Sequence, residues 1–248
     1  MKGRSRSSDG SGARRVTMSN KIVPIPQDVE HTWKMEVAPG FFRASSPRFG
    51  TLTFGLRPEW PRAVCWAWKE IGCGGVNIVP YVVIEGLLYI GMIYEKRPML
   101  PTGWGWNIPR GFLEPGSTPL QSARKEWEEE VGSSAERLQQ LKGSPQNPNS
   151  TFFDISDGSG TQVFGFFTKP EEVEQDDLVL IPDLGNAPAP SFVFVGNRFT
   201  PTSKMGEKIL ACRFFPWWVA ATGEDANSSS GFARLLANHR ELAKFLDQ

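Results

Sequence analysis

Cysteine and histidine are both scarce in this 248-residue chain, which holds three cysteines (Cys65, Cys73, Cys212) and two histidines (His31, His239). Cysteines so few and so far apart, with no Cys-x-x-Cys pair, exclude a disulfide framework and a zinc ribbon and suit a reducing compartment. Two histidines leave little material for histidine-based metal sites or nucleophilic triads. No apolar run approaches the ~20 residues needed to span a bilayer. Net charge is also absent, with 27 Lys and Arg against 27 Asp and Glu. The charges are unevenly placed: residues 1–21 hold six cations against one anion, Asp9, a net +5, so the remainder carries −5. A globally basic nucleic-acid binder is therefore disfavoured. The expected location is cytoplasmic, in a reducing intracellular setting, and the basic N-terminus leaves organellar targeting open. Against a presequence, residues 2–15 offer no large hydrophobic side chain for an amphipathic face.

What the chain does have is concentrated between Gly103 and Gly132, GWGWNIPRGFLEPGSTPLQSARKEWEEEVG. A Gly/Pro-rich loop feeds a helix whose start is well marked. Thr118 caps it, Pro119 suits the first helical position, and Gln121 completes a capping box, while Gly132 terminates. At ~100° per residue Leu120, Ala123, Trp127 and Val131 fall on one apolar stripe. Glu126, Glu129 and Glu130 lie on one flank of it, and Glu128 points elsewhere. Acids near a helix C-terminus oppose the macrodipole, and Glu126 and Glu130 repel at i,i+4. A divalent cation resolves both conflicts, because convergent carboxylates make the hard-oxygen site that magnesium or manganese prefers. Taken alone, EWEEE reads first as a solvated acidic face.

The loop in front of the helix separates those readings. Trp106, Pro109, Gly111, Glu114 and Gly116, followed by Glu126, Glu129, Glu130 and Gly132, resemble the Nudix hydrolase signature Gly-x5-Glu-x7-Arg-Glu-U-x-Glu-Glu-x-Gly-U, where U is a bulky apolar residue. Laid on Gly111 the spacing holds without a gap. Ser117 stands in place of the first Glu, Lys125 in place of the Arg and Ser133 in place of the last apolar residue, while Trp127 fills the U between the glutamates. The resemblance implies an α/β fold, a Nudix-type α/β/α sandwich with a mixed β-sheet. It implies hydrolysis of a diphosphate linkage in a nucleoside diphosphate linked to another group, with Mg²⁺ (or Mn²⁺) as cofactor. Glu126, Glu129 and Glu130 are the implied metal ligands, and Glu129, Glu130, Lys125 and Glu207 the implied catalytic set. Glu207 stands for the further carboxylate that such enzymes recruit from a distant loop, with Glu171, Glu172 and Glu174 as alternatives. Arg110 and Gly111 would meet substrate phosphates. The length beyond a minimal Nudix core leans towards a nucleotide sugar or dinucleotide. A catalytically weak or inactive Nudix-fold module that binds a nucleotide or scaffolds a complex is the alternative, favoured by the three departures and opposed by retention of the three glutamates. An RNA-processing role would rest on the basic tail alone. The partners expected are a nucleotide-type small molecule and neither membrane nor nucleic acid, and a homodimer is compatible with this.

Around this centre the expected organisation is a disordered basic tail over 1–20, an N-terminal extension over 21–72 packed on the core, and a Nudix domain over 73–248. KIVPIPQDVE reads as extended, residues 48–57 as a strand, and residues 61–72, with Ala63, Trp66 and Ala67 on one side, as a short helix. GGVNIVPYVV and LLYIGMIYE read as a β-hairpin turning at residues 84–86. Residues 134–142 look like a continuation of the helix. Strands are expected at 151–155 and 161–169, with DGSG as the turn, and at ILACRFF. Residues 170–206 read as an acidic turn or short helix and a long Pro/Gly-rich insert with a strand-like core, SFVFVG, suited to a lid or a partner surface. The end of the chain reads as an amphipathic helix burying Phe232, Leu235, Leu236, Leu242 and Phe245 against the second face of the sheet.

Overall fold

The computed structural model describes residues 34–38, 41–47, 50–57, 60–70, 74–96, 103–143, 152–153, 160–181, 185–195, 212–223 and 225–246. The first strands, β1 (Lys34–Ala38), β2 (Phe41–Ser46), β3 (Gly50–Arg57) and β4 (Trp60–Glu70), form an antiparallel four-stranded sheet in sequence order. β3 matches the expected strand. β4 replaces the helix expected over 61–72: Leu52 pairs with Trp68 and Phe54 with Trp66. Val64, Trp66 and Trp68 recur at every second position, so the segment carries a strand pattern beside its helical one, and pairing with β3 selects the strand.

The larger sheet begins with the hairpin of β5 (Gly74–Ile84) and β6 (Leu87–Lys96). Glu85 and Gly86 both have positive φ, the mark of a type I′ turn matched to strand twist. Residues 74–82 are buried throughout because this strand is covered on both faces. Val76, Ile78 and Val82 enter one core cluster and Val79 and Tyr81 the other, as the two-residue side-chain period requires. Two short strands follow: β7 (Trp104–Asn107) pairs with β6, and β8 (Arg110–Phe112) pairs with β5.

Helix α1 (Pro119–Glu130) starts and stops as the sequence dictates. The Thr118 hydroxyl accepts from Gln121 N–H at 3.3 Å and Gln121 Oε1 accepts from Thr118 N–H at 2.8 Å. Gly132, at φ +71°, donates its N–H to the Trp127 carbonyl at 3.1 Å. That left-handed turn ends the helix. Residues 134–142 therefore do not continue it; they make a turn and then β9 (Leu138–Gln140), which pairs antiparallel with a strand later in the chain, β11 (Gly160–Phe167). After β10 (Phe152–Phe153), β11 (Gly160–Phe167) runs parallel to β5, and this parallel pair makes the sheet mixed.

A 3-10 turn (Pro170–Glu172) leads to β12 (Val173–Ile181), which pairs with β13 (Ala187–Phe194). The strand-like core expected at SFVFVG thus lies mostly in β13, while most of the stretch expected as an acidic turn or short helix is the strand β12, and the two make a β-hairpin at the sheet's edge. β14 (Arg213–Pro216) fits between β13 and β6, giving the order β10-β11-β5-β6-β14-β13-β12. The end of the chain makes α2 (Trp217–Thr222), which the sequence reading did not anticipate, and α3 (Ala226–Asn238), followed by a 3-10 turn over Arg240–Phe245 instead of one continuous helix. Among the described residues no helix is long and apolar enough to cross a membrane.

α1 contributes Ala123 and Trp127 to one core and α3 contributes Phe232 and Leu235 to the other, on opposite faces of β5. The fold is an α/β/α sandwich with a mixed sheet. Trp127 is wholly buried and stacks on Phe166 with ring centroids 3.9 Å apart, with Phe194 edge-on at 6.4 Å. Trp127→Ala removes the side chain that seats α1, and large-to-small changes of this kind cost ~3–5 kcal/mol. The expected outcome in urea unfolding is a loss of that size, whereas Glu128→Ala on the exposed face should move the midpoint little.

Candidate active site

The loop reaches the helix along its acidic flank. Ile78 N–H donates to the Pro109 carbonyl at 2.8 Å, and Asn77 pairs with Arg110, so the segment before Gly111 is laid on β5. Gly111 then passes directly beneath Glu126. A Cβ at Gly111 would stand 1.9 Å from Glu126 Cδ, so only glycine leaves this carboxylate its place. One turn on, Glu130 is buried and its Oε2 accepts from Arg110 N–H at 3.0 Å. Glu129 is 55% exposed and Glu128 is exposed on the far side. The three flank glutamates of the sequence reading therefore fan out from core rim to solvent.

The Glu126 carboxyl is pushed up to about 7, by burial first and then by the charge of Glu129, with Glu114 and Glu95 adding against the opposing pull of Lys125. Negative charge is crowded here beyond what the chain itself balances. Among the described residues no three His, Cys, Asp or Glu side chains stand together as a finished ion cage. The donor chemistry nevertheless fits a hard divalent cation: carboxylate oxygens only, one of them held in a desolvated position where an added positive charge would favour its ionised form.

Lys125 pairs with Glu129 at 3.9 Å, one helical turn on, and its Nζ also hydrogen-bonds Glu114 at the other end of the loop. That bond is the main reason the ammonium is held above its ordinary value, with burial opposing and Glu129 adding. Glu114 N–H in turn donates to Ser122 Oγ at 3.3 Å. The lysine thus ties the loop to the helix at a point where Ser117 offers no acid. The Arg110 guanidinium lies 3.6 Å from Asp225 Oδ1, at the start of α3.

Of the proposed extra carboxylates, Glu207 lies outside the described residues. Glu172 is held by a two-pronged pair to Arg137 at 2.7 and 2.8 Å and accepts from Lys169 N–H at 2.9 Å. Glu171 and Glu174 are exposed. Two acids the sequence reading did not assign to the site act on it: Glu95 of β6, whose charge reaches Glu126, and Asp225. Glu95 carried no spacing signal, because it belongs to the strand before the loop.

The sign of the Glu126 shift gives a stability test. Between its ordinary value of 4.5 and about 7 the folded protein keeps a proton that the unfolded chain has released, so stability falls as pH rises through that window. In protein free of divalent cations, the melting temperature should fall across this range. Glu126→Gln should flatten the fall and melt higher than wild type above pH 7. A Glu126→Gln profile that drops as steeply as wild type would assign the pH dependence elsewhere.

Residues 92–184 match the family model of the NUDIX domain. The match starts within β6 and takes in the loop, α1, β11 and the whole of the edge hairpin's first strand. No curated protein matches the chain. Among solved structures, an ADP compounds hydrolase is similar at 11% identity, with 86% of this chain and 96% of that one covered and a TM-score of 0.46. A C. elegans Ap4A hydrolase complex is similar at 17% identity, covering 66% and 95%, TM-score 0.37. A Nudix hydrolase from M. Smegmatis, RenU, is similar at 14%, covering 77% and 94%, TM-score 0.39. At such TM-scores these likenesses add nothing to the assignment. It rests on the domain match, which gives residues 92–184 of the chain as a NUDIX domain, the stretch in which the loop and helix bring Gly111, Glu126 and Glu130 together.

Proposed function

We propose that the chain is a divalent-metal-dependent pyrophosphohydrolase that cleaves the diphosphate linkage of a nucleoside diphosphate joined to another group, a nucleotide sugar or dinucleotide. The observation that carries this reading is the Glu126 carboxyl, desolvated over Gly111 and crowded by Glu129, Glu114 and Glu95. A surface patch kept for solubility would leave its acids in water. Here the fold holds one acid where its charge is costly, as a site that pairs with a cation does.

Glu126, Glu129 and Glu130 would hold Mg²⁺ or Mn²⁺. Bound there, the ion would neutralise phosphate oxygens and lower the pKa of a water molecule. The chain's own residues prepare the setting. Glu130 is oriented by Arg110 N–H, and Gly111 clears the space above the strand. Lys125 and Glu114 tie the loop to α1 beside Glu126. The Arg110 guanidinium keeps donors beyond the one nearest Asp225, and these suit phosphate oxygens. Glu207 remains the proposed further carboxylate, as base or extra ligand. Residues 73–248 are proposed as the catalytic domain, with 21–72 as an extension.

A binding module without turnover is the second reading, favoured by Ser117, Lys125 and Ser133. The Lys125–Glu114 pair weighs against it, because it supplies a tie between loop and helix despite the first two departures.

The direct test is a screen of purified protein on diphosphate compounds with Mg²⁺ and Mn²⁺, with products read by chromatography. Glu130→Gln should abolish divalent-dependent turnover with the fold intact, and Glu128→Gln should do little. Lys125→Ala should slow turnover ~10–100-fold, the usual effect of losing a partner that orients a ligand, and Lys125→Arg should retain it. Glu114→Gln should reproduce the Lys125→Ala loss. Wild-type rates in both Glu130→Gln and Lys125→Ala would overturn the hydrolase reading at this site.

A further inference from the structure

The loop is gripped from both faces of the sheet, and only one of those grips belongs to the signature helix. On the α1 side, Arg110 N–H is bonded to Glu130 and Gly111 lies beneath Glu126. On the α3 side, Ile108 N–H donates to Ser228 Oγ at 3.1 Å, and Ser228 N–H and Oγ–H both donate to Asp225 Oδ2, at 2.9 and 2.6 Å. The second Asp225 oxygen, Oδ1, faces the Arg110 guanidinium at 3.6 Å. Beside this, Asn77 Nδ2 donates to Asn227 Oδ1 at 3.1 Å, joining the same turn of α3 to β5. α3 comes close enough that a Cβ at Gly231 would stand 2.8 Å from Ile108 Cδ1. Ser228, Ile108 and Asn77 are buried and Arg110 and Asp225 partly so, which shields these bonds from solvent competition.

Asp225 therefore does two separable things. As the cap of α3 it needs only a side-chain oxygen for Ser228 N–H. Towards Arg110 it needs its charge. The main chain of Arg110 orients Glu130 while its side chain is anchored on Asp225, so one residue carries the position of α3 to the acidic flank of α1.

We infer that Asp225 is a positioning residue for the Nudix site: by anchoring the Arg110 guanidinium from the start of α3, it holds the Arg110 amide on Glu130. This deepens the hydrolase reading and rests on it for its kinetic part. α3 is then an aligning element of the site as well as the cover of the second sheet face.

The test is Asp225→Asn, which keeps an oxygen able to cap α3, since Asn caps as well as Asp, and removes the charge facing Arg110. Two readouts are taken on the full chain: hydrogen exchange of the position-110 amide by NMR, without divalent cation, and steady-state kinetics with Mg²⁺. Asp225→Asn should speed exchange at position 110 by about tenfold or more relative to the central amides of α1, as local opening becomes easier. It should lower kcat ~10–100-fold with KM changed little, and leave the melting temperature near that of wild type. Arg110→Gln breaks the pair from the other side with the cap intact and should speed exchange at position 110 equally. Adding Asp225→Asn to Arg110→Gln should speed it no further. Unchanged exchange in Asp225→Asn, or an equal further increase in the Arg110→Gln background, would overturn the inference, the latter because Asp225 would be acting through the cap. A wild-type protein that hydrolyses no diphosphate would sink the hydrolase reading and leave the exchange measurements to decide the place of Asp225.

Discussion

The burial of Trp127 fixes the roll of α1, and the acidic flank follows from that one constraint. Measured around the helix from Trp127 at ~100° per residue, Glu130, Glu126 and Glu129 lie successively further from the core on one side, and Glu128 lies on the other. Their surroundings follow that order. Glu130 is buried and hydrogen-bonded, Glu126 is desolvated but reachable, and Glu129 stands in solvent. A few tens of degrees of rotation would turn Glu126 into water or drive Glu130 into the core. The stack of Trp127 on Phe166 of β11 prevents both, so the electrostatics of the site are set by an apolar contact on the helix's other side.

That contact also explains why the fold closes around a mixed sheet. Phe166 reaches Trp127 because β11 returns parallel to β5, and a parallel return needs a long crossover, which α1 and β9 supply. β5 is left with helices on both faces and reads as an almost unbroken apolar run.

Much of this was legible because it is local. The Thr118–Gln121 box, Pro119 and Gly132 mark α1 within its own residues, and the flank Glu126–Glu129–Glu130 follows from helical spacing alone. What was not legible depended on partners distant in sequence. Residues 61–70 satisfy a helical period through Ala63, Trp66 and Ala67 and a strand period through Val64, Trp66 and Trp68, and only β3 decides between them. Residues 134–142 are rich in good helix formers, yet Leu138–Gln140 pair with a strand that comes later in the chain. Within the site, the pairing of Lys125 with Glu129 follows from helical spacing, but its bond to Glu114 does not. The loop returns Glu114 to it across 11 positions, a distance set by the turn geometry and not by the helix. Asp225 had no signal at all, since a cap residue before a C-terminal helix looks the same whether or not an arginine faces it.

The separation of the two grips on the loop has a consequence for how the protein comes into being. Ile108 and Ser228 are 120 positions apart, and Asn77 and Asn227 are 150 apart. As the chain leaves the ribosome, the signature loop and α1 emerge early and can form their capping box and the Lys125–Glu114 tie at once. The anchor at Asp225 arrives only after the sheet's edge hairpin and β14 have been made. Closing contacts over such spans is slow compared with forming a hairpin or a helix turn. A nascent chain therefore carries its acidic flank through the synthesis of residues 131–225 with the loop held from one side only, and the full alignment of the site waits for α3 to dock.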